Sequence, residues 1–304
     1  MIGKPGLEDK AREYVLANDN LKGYKLLMHW SDMEKSKGVY DFSYLSDILS
    51  LAQSDGKKVV VEMQERYFGG WTPSPLPQYL DDPIYEGGRY KAPCGASLPK
   101  IWVPAVADRY IALLEETALR FDSHPALVGI LFPETALPGC KEQPGYAPQK
   151  FAESIKRINT AAAAAFRTTP VVQWINWANN MSKTEQDELM DDVVLTQRNG
   201  IGGPDVWNTG GGAASMQMGR FYDKYRGVAH VFHDTQSSGY KQNNAQFVFD
   251  YAVDTLGVHI LSWAPLKPPT NDIVWGIDDA IEVINAEKGR INTEPPENIV
   301  VCPE

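Results

Sequence analysis

Apolar, strand-like runs alternate with amphipathic helical stretches along nearly the whole chain, and this alternation constrains the fold more than any other feature. The runs are YKLLMHW (24–30), KKVVVEM (57–63), ALVGILF (126–132), PVVQWIN (170–176), GVAHVFHD (227–234) and VHILSW (258–263). Most are continuously apolar rather than alternating, as parallel strands buried on both faces are. A weaker run, GIGGPDVW (200–207), is required by the alternation and makes a seventh.

Helices fill the gaps. Residues 41–56 place Phe42, Leu45, Ile48, Leu49 and Ala52 on one stripe, with Asp41 suited to the N-cap and Gly56 to the C-terminal end. Residues 147–167 place Phe151, Ile155, Ile158, Ala162 and Phe166 on another. Ser182 and Glu185 have capping-box spacing, opening a helix that Gly200 is expected to end. Further helices are expected at 7–18, 103–122, 244–256 and 276–288.

This order predicts an α/β chain folded as a (β/α)₈ TIM barrel, one domain over residues 1–304, with a long loop after the third strand. Only seven strands are legible. The first is expected to be distorted or missing, with ENIVVCP (297–303) as a substitute contributor. A doubly wound open sheet competes, but no GxGxxG follows any strand run.

Composition narrows the partners. The chain has 304 residues, 43% hydrophobic and 22% charged, with a formal net charge of −10 and no Lys/Arg cluster, which argues against nucleic acid. No apolar stretch reaches the ~18 residues that span a membrane. The N-terminus lacks the apolar core of a signal peptide, so localisation stays open, and a secreted or periplasmic protein with its signal removed is one expectation. Cys94, Cys140 and Cys302 have no metal-binding spacing. Cys94 and Cys140 fall in loops the barrel brings together, as a disulfide or as free thiols.

In such barrels chemistry sits at the C-terminal ends of the strands. Those ends carry His29, Trp30, Asp32 and Glu34; Glu62, Gln64, Glu65 and Arg66; Glu134; Trp174, Asn176, Trp177 and Asn179; Asp205 and Trp207; His233, Asp234 and Gln236; Ser262 and Trp263. Carboxylates with aromatics suit a sugar, whose C–H faces stack on rings and whose hydroxyls pair with polar groups. Residues 66–100 add Tyr67, Phe68, Trp71, Tyr79, Tyr85 and Tyr90 among prolines and glycines, and long ordered loops commonly form binding walls.

HWSDMEKSKGVYDFSYLSDILSLAQSDGKKVVVEM (29–63) resembles the second-strand-to-third-strand segment of clan A glycoside hydrolases, notably β-galactosidase-like and cellulase-like barrels. RFDSHPALVGILFPET (120–135) resembles their fourth-strand segment, which implies Glu134 as general acid/base. Trp263 in HILSW resembles the Trp that floors their sugar subsite. Two departures matter. Pro133 stands where the family has Asn before that Glu, leaving Asn176 or Asn179 to substitute. No Glu ends the seventh strand, where Asp234 or Gln236 stands instead of the family's nucleophile.

The expected activity is therefore glycosidic-bond hydrolysis in a β-linked oligo- or polysaccharide, without cofactor. One acid protonates the leaving oxygen, and a second carboxylate attacks the anomeric carbon or activates water. Glu134 is the candidate acid; against this, it is a salt-bridged structural Glu. Asp234 is the first candidate partner, against a role in capping the next turn or orienting His233. Asp205 is the second, against an Asx-turn role. The short side chain of Asp234 favours the wider carboxylate gap of about 6.5–9.5 Å that goes with inversion, rather than the ~5–5.5 Å of retention.

Substrate-binding candidates are Trp30, Glu62, Trp71, Asn176, Trp177, Trp207, His233, Gln236 and Trp263. Each Trp is equally suited to core packing, and Glu62 to holding Arg66. A metal site is not expected, because His29, His230 and His233 show no HxH or HExxH spacing. Two alternatives remain: a non-catalytic carbohydrate-binding barrel that has lost its nucleophile, and a metal-dependent barrel hydrolase.

Overall fold

The structure is a computed structural model that describes residues 2–3, 8–66, 74–92, 95–176, 180–206, 219–241, 243–269, 272–294 and 296. One parallel sheet contains β1 (Ile2–Gly3), β2 (Gly23–His29), β3 (Lys58–Gln64), β4 (Leu127–Phe132), β5 (Val171–Trp174), β6 (Gly200–Gly203), β7 (Val231–Thr235) and β8 (Ile260–Trp263), hydrogen-bonded in chain order. Parallel neighbours in strict sequence, each followed by a crossover helix, curl into a nearly closed barrel with its helices outside. The expected missing first strand is a two-residue one, with Ile2 opposite Lys25 and Gly3 opposite Leu26. Residues 297–303 lie outside the described residues.

The outer layer is α1 (Glu8–Leu16), α2 (Ser43–Ser54), α3 (Pro104–Phe121), α4 (Pro148–Ala165), α5 (Lys183–Asp191), α6 (Gly219–Tyr225), α7 (Ala245–Asp250) and α8 (Ile277–Ala286). The stripe Phe151, Ile155, Ile158, Ala162 and Phe166 is buried, as its spacing requires. The Ser182–Glu185 capping box forms, with Ser182 N–H donating to Glu185 Oε2 at 2.7 Å. Two boundaries differ from expectation. Asp41 stands one residue outside the N-cap, its carboxylate accepting from Ser43 N–H. Gly200 does not end α5; a wide turn over Asp192–Thr196 does, and Gly200 opens β6. No helix among the described residues is long and apolar enough to cross a membrane.

Period-two alternation divides each strand between two environments. Val60, Leu131, Val172, Trp174 and Phe232 pack together inside the barrel, with Val128 and Ile260 against them. Their chain neighbours Val59, Val61, Ile130, Val171 and Val231 face the helices in the larger core. Strand β6 contributes glycine where others contribute bulk. A Cβ on Gly202 would lie 1.8 Å from the Phe232 carbonyl oxygen and 2.8 Å from Trp174 Cδ1. The weak apolar signal of 200–207 thus reflects space yielded to the Trp174 indole.

The segment 29–63 owes its distinctive residues to packing. Glu34 is fully buried and accepts from Trp30 Nε1 at 2.9 Å, Gly38 N–H at 2.7 Å, Tyr79 hydroxyl at 2.7 Å and the Arg109 guanidinium. Arg109 also donates to the Tyr40 hydroxyl at 3.0 Å. A buried carboxylate without such donors would carry a large desolvation cost. Trp30, proposed above as a sugar platform, has no exposed surface and packs on Tyr110 at 5.2 Å between ring centroids. Its indole is committed to the core.

The loop after β3 also differs from an aromatic wall. Tyr85 and Tyr90 are buried, and Tyr90 packs on Trp102 beside the antiparallel pair Arg89–Lys91 and Ser97–Pro99. Tyr67, Phe68, Trp71 and Cys94 lie outside the described residues. Cys140 is buried.

Replacing Gly202 by Ala drives a methyl into backbone rather than into a yielding side chain. Gly202→Ala is expected to lose at least ~3 kcal/mol of stability, read by chemical denaturation with the unfolding slope unchanged.

Candidate active site at the barrel mouth

Glu134 follows β4 by two residues, in a short irregular stretch held at each residue from 133 to 136, by backbone at 133, 134 and 136 and by side chain at 135. The Pro133 carbonyl accepts from Gln173 Nε2 at 2.9 Å. The Glu134 and Ala136 carbonyls both accept from Arg66 Nη1, at 2.8 and 2.9 Å. Thr135 exchanges hydrogen bonds with the Asn176 backbone: its hydroxyl donates to the carbonyl oxygen and accepts from the N–H at 3.0 Å. Strands β3 and β5 therefore fix this stretch from both sides.

The Glu134 side chain is 9% exposed, and its Oε2 accepts from Asn176 Nδ2 at 2.8 Å. Burial raises its pKa to about 7; the Asn176 hydrogen bond and the Arg66 charge pull the other way, and Asp205 and Glu62 push it further up. Glu134 therefore holds a proton near neutral pH, and two other carboxylates lie within electrostatic reach. Asp205 follows β6, is half-buried, and accepts from the Ser238 hydroxyl.

Below lies a buried charge cluster. Lys25 Nζ sits 2.6 Å from Glu62 Oε2 and 2.5 Å from Asp234 Oδ2, and lies over the Trp174 ring at 4.1 Å. Burial works against the Lys25 charge, but Asp234 and Glu62 outweigh it and hold its pKa above the usual lysine value. Burial raises the Glu62 pKa, with Lys25 opposing. Asp234 also accepts from the Ser262 hydroxyl and has no exposed surface.

Of the residues singled out from sequence, the fold brings Glu134, Asn176 and Asp205 together, with Glu62 in electrostatic reach. Glu62 shares the Lys25 ammonium with Asp234, which also accepts from Ser262. His233, as the chain neighbour of Asp234, points the other way, against Tyr222 of α6 at 4.9 Å between ring centroids. It is fully buried, and burial lowers its pKa to about 3, so it is a neutral wall of the outer core rather than a sugar-binding group. Trp263 is 2% exposed and edge-on to Trp275 at 6.2 Å, packed rather than presenting an open platform. Gln236 follows β7 half-buried. Trp71, Trp177, Asn179 and Trp207 lie outside the described residues. Among the described residues no three His, Cys, Asp or Glu side chains converge as a metal ion would require.

Sequence reasoning overlooked Lys25, Gln173 and Thr135, and did not weigh Arg66 as a clamp. Lys25 had a signal: a lone charge inside the apolar run YKLLMHW. Gln64 was noticed only as a strand end. It is 9% exposed, and its Oε1 accepts no hydrogen bond from the described residues.

No family model and no curated protein sequence matches the chain. Solved structures do match in fold. A β-galactosidase from the Antarctic haloarchaeon Halorubrum lacusprofundi aligns over 93% of this chain and 57% of its own, at TM-score 0.60 and 13% identity. Xylanase 10B from Thermotoga petrophila, solved with xylobiose, aligns over 95% and 94%, at 0.60 and 11%. Endoglycoceramidase II from Rhodococcus sp. aligns over 91% and 72%, at 0.54 and 15%. The chain spans a little over half the length of that β-galactosidase. It shares with all three the (β/α)₈ barrel fold, the architecture that its resemblance to clan A glycoside hydrolases implied.

A carboxyl held protonated by the fold stabilises the native state below its unfolded pKa, near 4.5, and that contribution is lost as pH rises through about 7. Glu134→Gln removes this dependence. The variant is expected to gain stability over the parent between pH 5 and pH 8, by on the order of 3 kcal/mol at most, in paired thermal or denaturant unfolding. An equal difference at both pH values would show that Glu134 titrates normally.

Proposed function

We propose that this chain is a glycosidase acting on a β-linked oligo- or polysaccharide, with Glu134 as its acid/base. The observation that carries the reading is the Glu134 carboxyl itself: buried at the barrel mouth, protonated to about pH 7 and fixed by Asn176. Such a group donates its proton to the glycosidic oxygen as the C–O bond breaks and positive charge grows at the anomeric carbon. Asn176 takes over the place left by Pro133, approaching from β5 rather than from the preceding residue. The three barrels described above are named for activities on glycosides or xylan, which supports the substrate class.

For the opposing carboxylate the reading moves from Asp234 to Asp205. Asp234 has both oxygens engaged, by Lys25 and by Ser262, whereas Asp205 is half-exposed and electrostatically coupled to Glu134. Asp205 either attacks the anomeric carbon or takes a proton from water. The product anomer, read by NMR, separates these: retention for attack, inversion for water.

The test is hydrolysis of a panel of 4-nitrophenyl β-glycosides and β-linked glycans, followed by variants on whichever is cleaved. Glu134→Gln and Asp205→Asn are each expected to lower kcat by about 10²–10⁴-fold, with glycan binding retained in the first. In the parent, kcat is expected to fall as pH rises above about 7, because Glu134 then lacks its proton. The locked Asp234 favours one rival, a non-catalytic carbohydrate-binding barrel, in which Glu134→Gln leaves binding unaltered and no panel member is cleaved.

A further inference from the structure

Arg66 follows β3 by two residues, 2% exposed, and its charge is buried rather than turned to solvent. Burying a guanidinium there needs compensation on every side. Nε donates to Glu65 Oε1 at 2.7 Å, and Nη2 to the same oxygen. Nη1 is spent differently. It donates to two backbone carbonyls, Glu134 at 2.8 Å and Ala136 at 2.9 Å, which bracket Thr135 on the stretch carrying the candidate acid. The Glu134 carbonyl is the residue's own main chain, so a shift of the guanidinium moves the root of the carboxyl side chain.

We propose that Arg66 is the positioning residue of Glu134: its guanidinium clamps the backbone on which the acid stands and sets a positive charge beside it. The inference rests on Glu134 as the acid/base for its catalytic consequence, but not for its geometric one. A surface arginine holding a loop would do neither, and lysine cannot reproduce the arrangement. Its ammonium carries the charge without the planar fork that reaches two carbonyls and a carboxylate together.

Among the described residues, few charged and titratable groups act on Glu134. Arg66 and Glu62 approach from β3, and Asp205 approaches from the end of β6; Asn176, from the end of β5, is neutral. Lys25 and Asp234 compensate Glu62 beneath. Arg66 is the one cation facing Glu134 in this set, so removing it favours the protonated acid, and restoring a cation reverses the change.

Two readouts on the full-length protein test this. The first needs no substrate: the carboxyl of Glu134 is titrated by ¹³C NMR, its resonance assigned from its absence in Glu134→Gln. Arg66→Met is expected to move the midpoint upward by about a unit, and Arg66→Lys to return it near the parent value. The second uses the 4-nitrophenyl glycoside that the parent cleaves. Both variants are expected to lower kcat, by about 10²-fold for Arg66→Met through misplacement of the acid, with KM nearly unchanged.

A midpoint that stays put in folded Arg66→Met overturns the proposal. So does a loss of activity that only tracks the folded fraction, or failure of both variants to fold, which would make Arg66 a folding residue. If the parent cleaves nothing, or Glu134→Gln retains turnover, the hydrolase reading fails, while the titration still decides whether Arg66 governs Glu134.

Discussion

The interaction on which the interior depends is the buried contact of Lys25 with Glu62 and Asp234. Two carboxylates cannot both ionise side by side inside a barrel without a cation between them. Lys25 supplies it from β2, and its ammonium rests on the Trp174 ring. That ring fits because β6 has glycine at 200 and 202, where any Cβ would meet Val172, Trp174 or the Phe232 carbonyl. Glycine on one strand, indole on the next, ammonium above the indole and carboxylates around the ammonium form a single dependent series. It builds the floor on which the mouth rests.

The floor decides what the seventh strand offers the mouth. Alternation puts Asp234 inside and His233 outside, and once inside, Asp234 is bound by the nearest cation. A carboxylate whose two oxygens already engage an ammonium and a hydroxyl has little freedom left to reach an anomeric carbon. Asp205 differs from Asp234 in position. It stands after β6 has ended, half-exposed, and accepts from the Ser238 hydroxyl in a loop rather than in the barrel wall.

Much of the architecture was legible in the chain because parallel barrel strands announce themselves as continuous apolar runs. All seven runs found their strands, and the Phe151-to-Phe166 stripe its core. Legibility failed where one residue type serves two environments. Trp30 and Trp263 read as sugar platforms and Tyr85 and Tyr90 as part of a binding wall, yet each is buried, because an aromatic near a strand end packs under a loop as well as it lines a cleft. His233 was misassigned for a different reason: within the run its facing depends on register, and a shift of one residue reverses it. The position of Glu134 just past an apolar run was legible, and Asn176 was named as a candidate to stand beside it. The Arg66 clamp was not, since it reaches the Glu134 backbone from another strand across 68 residues of sequence.

The environment of Glu134 is a balance rather than a simple burial. Removal from water raises its proton affinity; the Asn176 amide and the Arg66 guanidinium lower it. Burial alone would leave a carboxyl that never releases its proton near neutral pH, and the two donors alone would leave one that never keeps it. An acid that must give up a proton and later recover it needs an affinity between these limits. The backbone ties at Pro133, Glu134 and Ala136 and the Thr135 hydroxyl hold the carboxyl at the depth where the opposing effects meet near pH 7. A shallower seat would weaken the desolvation and leave the amide and guanidinium dominant, turning the same side chain into an ordinary carboxylate. The depth of the seat thus sets the proton affinity, and the four-residue stretch that fixes it is secured from two neighbouring strands.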